Sequence, residues 1–386
     1  MKLSPVTYKI IYDNRNITKD ISDHLISLSY TDKLQGESDE LSLELEDRDA
    51  LWQNAWYPQK GAVIYAEIID AGVLLKCGNF TIDEIQMSGS KSSGDTVSIS
   101  AMAAGITKKI RTKKNTAHEN KTLRQLAKSV ADVHALTVQG NIPDIRFNRI
   151  SQNHESDLSF LNRISNQYGI IFSIRDKLLI FQQEKELQGK AAVLSLDKTE
   201  IIDYSFTDKA TETFKKAKVK YHNSSTAETV DYTAEDNTDG LGEDEFSIKQ
   251  KAENKQQAEL MATGQLNKKN KSEKTVSVTC PGNVLILSGS NVEMTGYGVF
   301  SGVYQVTESS HNIDNSGGYT TSFEGKRVAT VPSGKHIPKR KKGNHIGGSS
   351  SSIDAGRKNR RPYGVLKSVE DITGLRGATF DELFKN

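Results

Sequence analysis

Cysteine, proline and long apolar runs are scarce in this chain of 386 residues, and each scarcity excludes a class of protein. The two cysteines, Cys77 and Cys280, lie far apart in strand-like segments, which predicts buried free thiols and no disulfide framework. No run approaches the roughly 18 apolar residues of a membrane helix, and residues 1–5 lack the features of a signal peptide. We therefore expect synthesis in the cytoplasm and no membrane contact for the isolated protein.

Signatures of catalysis are missing as well. The eight histidines form no His-x-x-x-His pair, and the sequence contains no Cys-x-x-Cys pair, Gly-x-Ser-x-Gly elbow or phosphate-binding Gly-x-x-x-x-Gly-Lys-Ser/Thr loop. Close carboxylates such as Glu155 and Asp157, or Asp236 and Asp239, could serve a glycosidase. Such pairs are inevitable among 49 acidic residues, however. We expect no catalytic residue, no cofactor and no metal site.

The formal net charge is only +2, but it is spread unevenly. Residues 335–342 (KHIPKRKK) and 357–361 (RKNRR) are basic, and residues 233–245 are acidic. A basic cluster can bind nucleic acid or an acidic partner, or it can belong to a solvated linker. The linker is favoured and nucleic-acid binding is not expected, because no aromatic residue is interleaved to stack on bases.

The hydrophobic pattern over residues 1–106 is mostly that of half-buried strands. Leu41, Leu43 and Leu45 alternate with polar residues, and turn-forming residues separate several such segments. This pattern predicts a small antiparallel β-barrel domain. Residues 48–56 are predicted to form a short helix capped by Asp47, with Leu51 and Trp52 plugging one end of the barrel.

Residues 107–185 are predicted to form an α+β domain. A helix is expected at about 122–134, and a second helix begins after Ser156, whose hydroxyl can cap the first turn. Gly169 follows the second predicted helix at the position where a left-handed C-terminal cap is expected. Two apolar runs then flank a polar turn at residues 175–177, which indicates a hairpin.

The β pattern returns over residues 186–330, which are assigned to a second β-barrel domain with a polar helix at about 254–266. Residues 331–386 are predicted to contain an extended linker followed by an apolar C-terminal peptide. That peptide is too short for a domain. It could bind a neighbouring copy or another protein, or it could dock on its own chain.

Three segments carry a resemblance to a known family. Residues 151–181 (SQNHESDLSFLNRISNQYGIIFSIRDKLLIF), 30–61 (YTDKLQGESDELSLELEDRDALWQNAWYPQKG) and 302–325 (GVYQVTESSHNIDNSGGYTTSFEG) resemble the phage late-control D family. Its members are baseplate hub proteins of contractile tails, related to the base of type VI secretion spikes. The resemblance spans roughly residues 1–330.

The resemblance implies a mainly β, α+β fold with two small antiparallel barrels that are pseudo-equivalent. It also implies a structural role, in which a homotrimer joins the tail tube to the central spike and contacts other baseplate proteins within the assembled phage tail or tail-like particle. The residues expected at partner interfaces are Trp52, Trp56, Phe160, Tyr168, Tyr363, Leu366, Ile372, Leu375, Phe380, Leu383 and Phe384.

Two other functions compete with the hub interpretation. A tail-associated cell-wall lysin would release fragments from peptidoglycan, and replacement of one carboxylate would abolish that activity. A nucleic-acid-binding accessory protein would use the two basic clusters, and its affinity would fall steeply with salt. The sequence does not distinguish a phage from another injection particle, and it does not identify the host or the partners.

Overall fold

The computed structural model describes residues 6–35, 38–92, 94–104, 109–209, 213–223, 228–236, 244–270, 273–315 and 318–328. The predicted linker and C-terminal peptide, residues 331–386, lie outside these ranges. Within them, no helix is both long and apolar enough to cross a membrane.

The described residues are mainly β, as the sequence predicts. The five α-helices among them are α1 (Thr18–Ser22), α2 (Leu123–His134), α3 (Asp157–Gln167), α4 (Glu184–Gln188) and α5 (Lys255–Asn270), and short 3-10 helices lie at Lys198–Glu200 and Gly298–Phe300. The strands are β1 (Thr7–Tyr12), β2 (Arg15–Asn16), β3 (Leu25–Lys33), β4 (Glu40–Glu46), β5 (Val63–Asp70), β6 (Val73–Ser90), β7 (Gly94–Ala103), β8 (Lys113–Thr122), β9 (Thr137–Gly140), β10 (Arg146–Ser156), β11 (Ile170–Arg175), β12 (Leu178–Gln183), β13 (Ala192–Asp197), β14 (Asp203–Asp208), β15 (Lys216–Asn223), β16 (Glu228–Glu235), β17 (Glu245–Ile248), β18 (Lys274–Pro281), β19 (Asn291–Thr295), β20 (Gly302–Asp314) and β21 (Gly318–Arg327).

One continuous sheet of 13 strands forms the frame of the molecule, with the order β14-β18-β21-β20-β3-β4-β7-β6-β5-β1-β2 and with β13 and β19 attached beside β20. The long strand β20 joins its two halves. Its residues 302–305 pair with β19, whereas residues 308–314 pair with β3. In the described residues the sheet is not closed, since β14 and β2 at its two ends do not pair with each other.

Alternating side chains give each half of the sheet its own apolar core. The first core buries residues such as Leu28, Leu41 and Ile64, and the second buries residues such as Val278 and Tyr304. Strands such as β3, β4 and β7 therefore have one face in a core, as the period-two pattern predicts.

A third core belongs to an α+β unit inserted between the halves of the sheet. Thr122 caps α2 in a capping box with Gln125, and the Ser156 hydroxyl accepts from the backbone N–H of Ser159 at the start of α3. Gly169 follows α3 with φ of +65°, and β11 and β12 form the predicted hairpin. The two helices and the hairpin predicted from the sequence are confirmed.

Side chains of β15, β16, β17 and α5 also belong to this third core. Ala217 and Val219 of β15, and Met261 and Leu266 of α5, are buried with the side chains of residues 110–181. The sequence prediction grouped these elements with the second barrel. The structure instead places Gly264 of α5 in backbone contact with Gly169, because both residues lack a side chain there.

The predicted short helix over residues 48–56 is wrong. This segment is a series of turns, in which Ala50 has φ of +54° and the N–H of Trp56 donates to the carbonyl of Leu51 at 2.8 Å. A left-handed residue at this point is incompatible with a continuous right-handed helix. We refer to residues 47–58 as the tryptophan loop.

Candidate interface site

The tryptophan loop brings both tryptophans of the chain to the edge of the first core. Trp52 is 6% exposed and Trp56 is 41% exposed, and their rings meet edge to face with centroids 5.4 Å apart. The ring of His24 lies edge-on to both indoles. The result is an aromatic cluster with a buried base and an exposed top.

A groove of about 420 Å³ opens beside this cluster. Most of its lining is apolar or aromatic, and polar groups stand among these side chains; the lining residues are Tyr12, Arg15, Ile17, Asp20, Ile21, Leu43, Leu45, Trp52, Ala55, Trp56, Tyr57, Pro58, Gln59, Ile64 and Ile99. Tyr57 is 53% exposed. Exposed aromatic surface around a concavity of this size is typical of a binding site.

Two buried polar atoms beneath the groove have no hydrogen-bond partner among the described residues. They are Nε1 of Trp52 and Oδ2 of Asp47. The other carboxylate oxygen of Asp47 accepts from the backbone N–H of Trp52 at 3.0 Å, which holds the tryptophan loop in place. A buried indole N–H usually has an acceptor, and that of Trp52 has none among the described residues.

The other predicted interface residues are distributed differently. Phe160 and Tyr168 are buried in the third core, where Phe160 lies against the ring of His118 and Tyr168 lies against Phe147. This burial keeps both side chains from touching a partner directly. Tyr363, Leu366, Ile372, Leu375, Phe380, Leu383 and Phe384 lie outside the described residues.

A buried polar junction fixes the three units relative to one another. Asp32 of β3 is fully buried, and its carboxylate binds the guanidinium of Arg175, the last residue of β11. The same carboxylate accepts from the Ser288 hydroxyl at 2.7 Å and from the Ser288 N–H at 2.9 Å. Asp32, Arg175 and Ser288 come from the first half of the sheet, the α+β unit and the second half.

Two further carboxylates complete this junction. Asp39 accepts from the N–H of Lys33 at 3.0 Å and lies 3.7 Å from Nε of Arg175. Burial raises the pKa of Asp39 to about 7, although the neighbouring Arg175 acts in the opposite direction. Asp176 accepts from both the backbone and the side-chain N–H of Asn79 at 2.9 Å, so the β11–β12 turn is attached to the first half of the sheet.

His311 of β20 makes structural hydrogen bonds with both of its ring nitrogens. Its Nδ1 lies 2.8 Å from the Tyr319 hydroxyl, and its Nε2 lies 3.1 Å from the carbonyl oxygen of Ile286. The imidazole also stacks on the ring of Tyr30. Burial lowers the pKa of His311 to about 4.

No local sequence pattern pointed to the contact between Asp32 and Ser288, because these residues are 256 positions apart along the chain. Arg175 contacts both side chains, but the sequence analysis identified it only as part of the polar turn at residues 175–177. Among the described residues, no group of three or more His, Cys, Asp or Glu side chains is placed to hold a metal ion.

Comparison with known proteins identifies the family. A model of the family described as phage tail baseplate hub (GPD) matches residues 81–317. The chain belongs to the phage tail baseplate hub family. The family membership predicted from the three sequence segments is thereby confirmed.

Two curated members of the hub family give the same assignment. The probable baseplate hub protein of Escherichia phage P2 is 32% identical over 177 residues, which are 45% of this chain and 44% of that protein. The corresponding protein of Escherichia phage 186 is 30% identical over the same shares. The matched region thus spans less than half the length of these curated relatives.

Solved structures extend the likeness in fold beyond the matched sequence. A 43 kDa tail protein of prophage MuSo2 from Shewanella oneidensis has a TM-score of 0.66 at 14% identity, and the alignment covers 84% of this hub-family chain and 99% of that protein. A tail protein from Neisseria meningitidis MC58 has a TM-score of 0.62 at 14% identity, with 84% and 97% covered. An E. coli type VI secretion component has a TM-score of 0.53 at 10% identity, with 80% and 74% covered.

Proposed function

We propose that three copies of this chain form the hub of a baseplate and join the tail tube to the central spike. The observation that carries the proposal is the match to the baseplate hub family over residues 81–317. The likeness in fold to prophage tail proteins and to a type VI secretion component supports it. The chain would then act within the assembled tail.

The physical basis of the proposal is the doubling within one chain. Two β halves, each with its own core, are linked through β20. If each half acts as one small barrel, three chains present six similar faces to a six-fold tube while keeping three-fold symmetry for a spike. The division into residues 1–106, 107–185, 186–330 and 331–386 remains a prediction, but β15, β16, β17 and α5 contribute to the core of the α+β unit.

Edge strands provide the surfaces through which copies can meet. Within the described residues, the two terminal strands of the sheet order, β14 and β2, each pair with one neighbour only. An open edge offers backbone donors and acceptors to a strand of another chain. The buried junction around Asp32 and Arg175 would hold the two halves at a fixed angle, which a ring of three chains requires.

Co-expression with the neighbouring tail genes tests this function. We expect native mass spectrometry of the purified complex to find three copies of the 42.6 kDa chain bound to a spike protein. The chain expressed alone is the control, since it shows whether trimer formation depends on the spike. A complex that contains one or two copies of the chain per spike would contradict the proposal.

A further inference from the structure

The groove at the tryptophan loop has the features of an occupied site. Trp56 and Tyr57 expose about half of their surface, and the lining of the groove is largely apolar. Exposed aromatic surface is costly to leave in water. An occupant should therefore present apolar side chains to the groove.

The chain itself carries a segment with this chemistry. Residues 363–386 read YGVLKSVEDITGLRGATFDELFKN and include Phe380, Leu383 and Phe384, spaced as on one face of a helix, with Asp381 and Glu382 between them. We propose that residues 363–386 dock into the groove of their own chain, with these three apolar side chains against Trp52 and Trp56. The proposal does not depend on the number of copies in the hub.

The connecting sequence is long enough for this docking. Residues 329–362 separate the segment from Val328, the last described residue, and 34 residues can span up to about 110 Å. A tethered segment is present at an effective concentration in the millimolar range when its tether matches the distance. At the groove, the segment of the same chain is therefore present at a higher effective concentration than the segment of a free neighbouring chain at micromolar concentration.

The positive charge of Arg15 at the rim of the groove is complementary to the acidic residues Asp381 and Glu382 of the segment. The side chain of Arg15, which lines the groove, is 78% exposed and forms a 3.4 Å ion pair with the partly exposed Asp20. Such surface pairs contribute little, so the guanidinium is able to turn to the carboxylates of Asp381 or Glu382.

The two tryptophans make a direct test possible, because both lie in the groove and the segment contains none. The full chain is compared with the double variant Phe380→Asp/Leu383→Asp by intrinsic tryptophan fluorescence and acrylamide quenching. We expect the variant to show red-shifted emission and a quenching constant about twofold higher, since Trp56 becomes accessible. The expected change is independent of protein concentration.

The matched control is Ser350→Asp/Ser352→Asp, which adds two carboxylates outside the proposed docking segment. It should leave emission and quenching unchanged. A synthetic peptide of residues 363–386, added to the Phe380→Asp/Leu383→Asp variant, should restore the blue-shifted spectrum. Circular dichroism of both variants checks that the fold is intact.

Identical emission and quenching in the full chain and the Phe380→Asp/Leu383→Asp variant would overturn the proposal. A difference between them that grows with protein concentration would overturn docking on the same chain, because the segment would then be filling a neighbour's groove. Neither result depends on how many copies of the chain bind the spike, which native mass spectrometry measures. The docking proposal and the proposed hub function can therefore fail separately.

Discussion

At the scale of single residues, the units of the molecule are held by a few buried polar side chains. Asp32 binds Arg175 and both donors of Ser288, and its carboxylate has no exposed surface. Removing one partner from such a set leaves a buried charge without compensation, which costs far more than the loss of a surface ion pair. The junction should therefore dominate the response to single substitutions.

Arg175→Met should lower the free energy of unfolding by about 3–5 kcal/mol, because the carboxylates of Asp32 and Asp39 lose their common counter-ion. Arg149→Met is the matched control, since Arg149 is exposed and its pair with Glu119 is 3.9 Å long; its cost should stay under about 1 kcal/mol. Urea unfolding at neutral pH measures both. Equal losses in the two variants would show that the junction does not carry this stability.

His311 should make stability depend on pH. Burial lowers its pKa to about 4 from an ordinary value near 6.5, so between these values the unfolded chain binds more protons than the folded chain. The contribution of His311 to stability is therefore present above pH 6.5 and is lost as the pH falls to 4, by roughly 3 kcal/mol in total.

The measurement is the free energy of unfolding at pH 6.5 and at pH 4 for the unsubstituted chain and for His311→Gln. The glutamine variant should lose less stability across this interval, because it has no group that titrates there. The comparison subtracts the contributions of Asp39 and the other carboxylates, which both proteins share. Equal losses on acidification would contradict the buried, neutral state of His311.

At the scale of elements, local signals predicted much of the α+β unit. Thr122 and Ser156 cap the two helices, Gly169 follows the second with positive φ, and the polar turn at residues 175–177 precedes β12. Each of these features depends on residues within a few positions of one another, so the sequence alone specifies them.

The position of α5 could not be predicted in this way. Its contact with the end of α3 depends on two glycines that are 95 positions apart, and a Cβ atom added to Gly264 would lie 2.6 Å from the backbone nitrogen of Gly169. The tryptophan loop was missed for a different reason. Its composition suits a helix, but Ala50 adopts a left-handed conformation that only the tertiary structure imposes.

Gly264→Ala tests the close approach of α5 and α3. Alanine is favoured over glycine inside a helix by about 1 kcal/mol, but here its methyl group must push two backbones apart, so we expect a net loss of about 1–3 kcal/mol. Gly189→Ala is the control, because its added Cβ would meet only ordinary contacts at 3.6 Å. A Gly264→Ala variant as stable as the control would mean that the helices are farther apart.

At the scale of the whole molecule, the alternating pattern predicted mainly β structure but did not predict its continuity. The sequence suggested two separate barrels, whereas β20 runs from one core into the next and makes the two halves part of a single sheet. A strand of 13 residues satisfies the same period-two pattern whether it serves one core or two. The pairing partners that decide this lie about 280 residues away, in β3.

The central claim is that the two halves of each chain allow three copies to match a six-fold tube and a three-fold spike. Electron microscopy of the hub bound to tube and spike proteins tests it most directly. We predict a ring of three chains with three-fold symmetry on the spike side and six nearly equivalent β modules on the tube side. A ring of six chains, or a three-chain ring in which only one half of each chain contacts the tube, would contradict it.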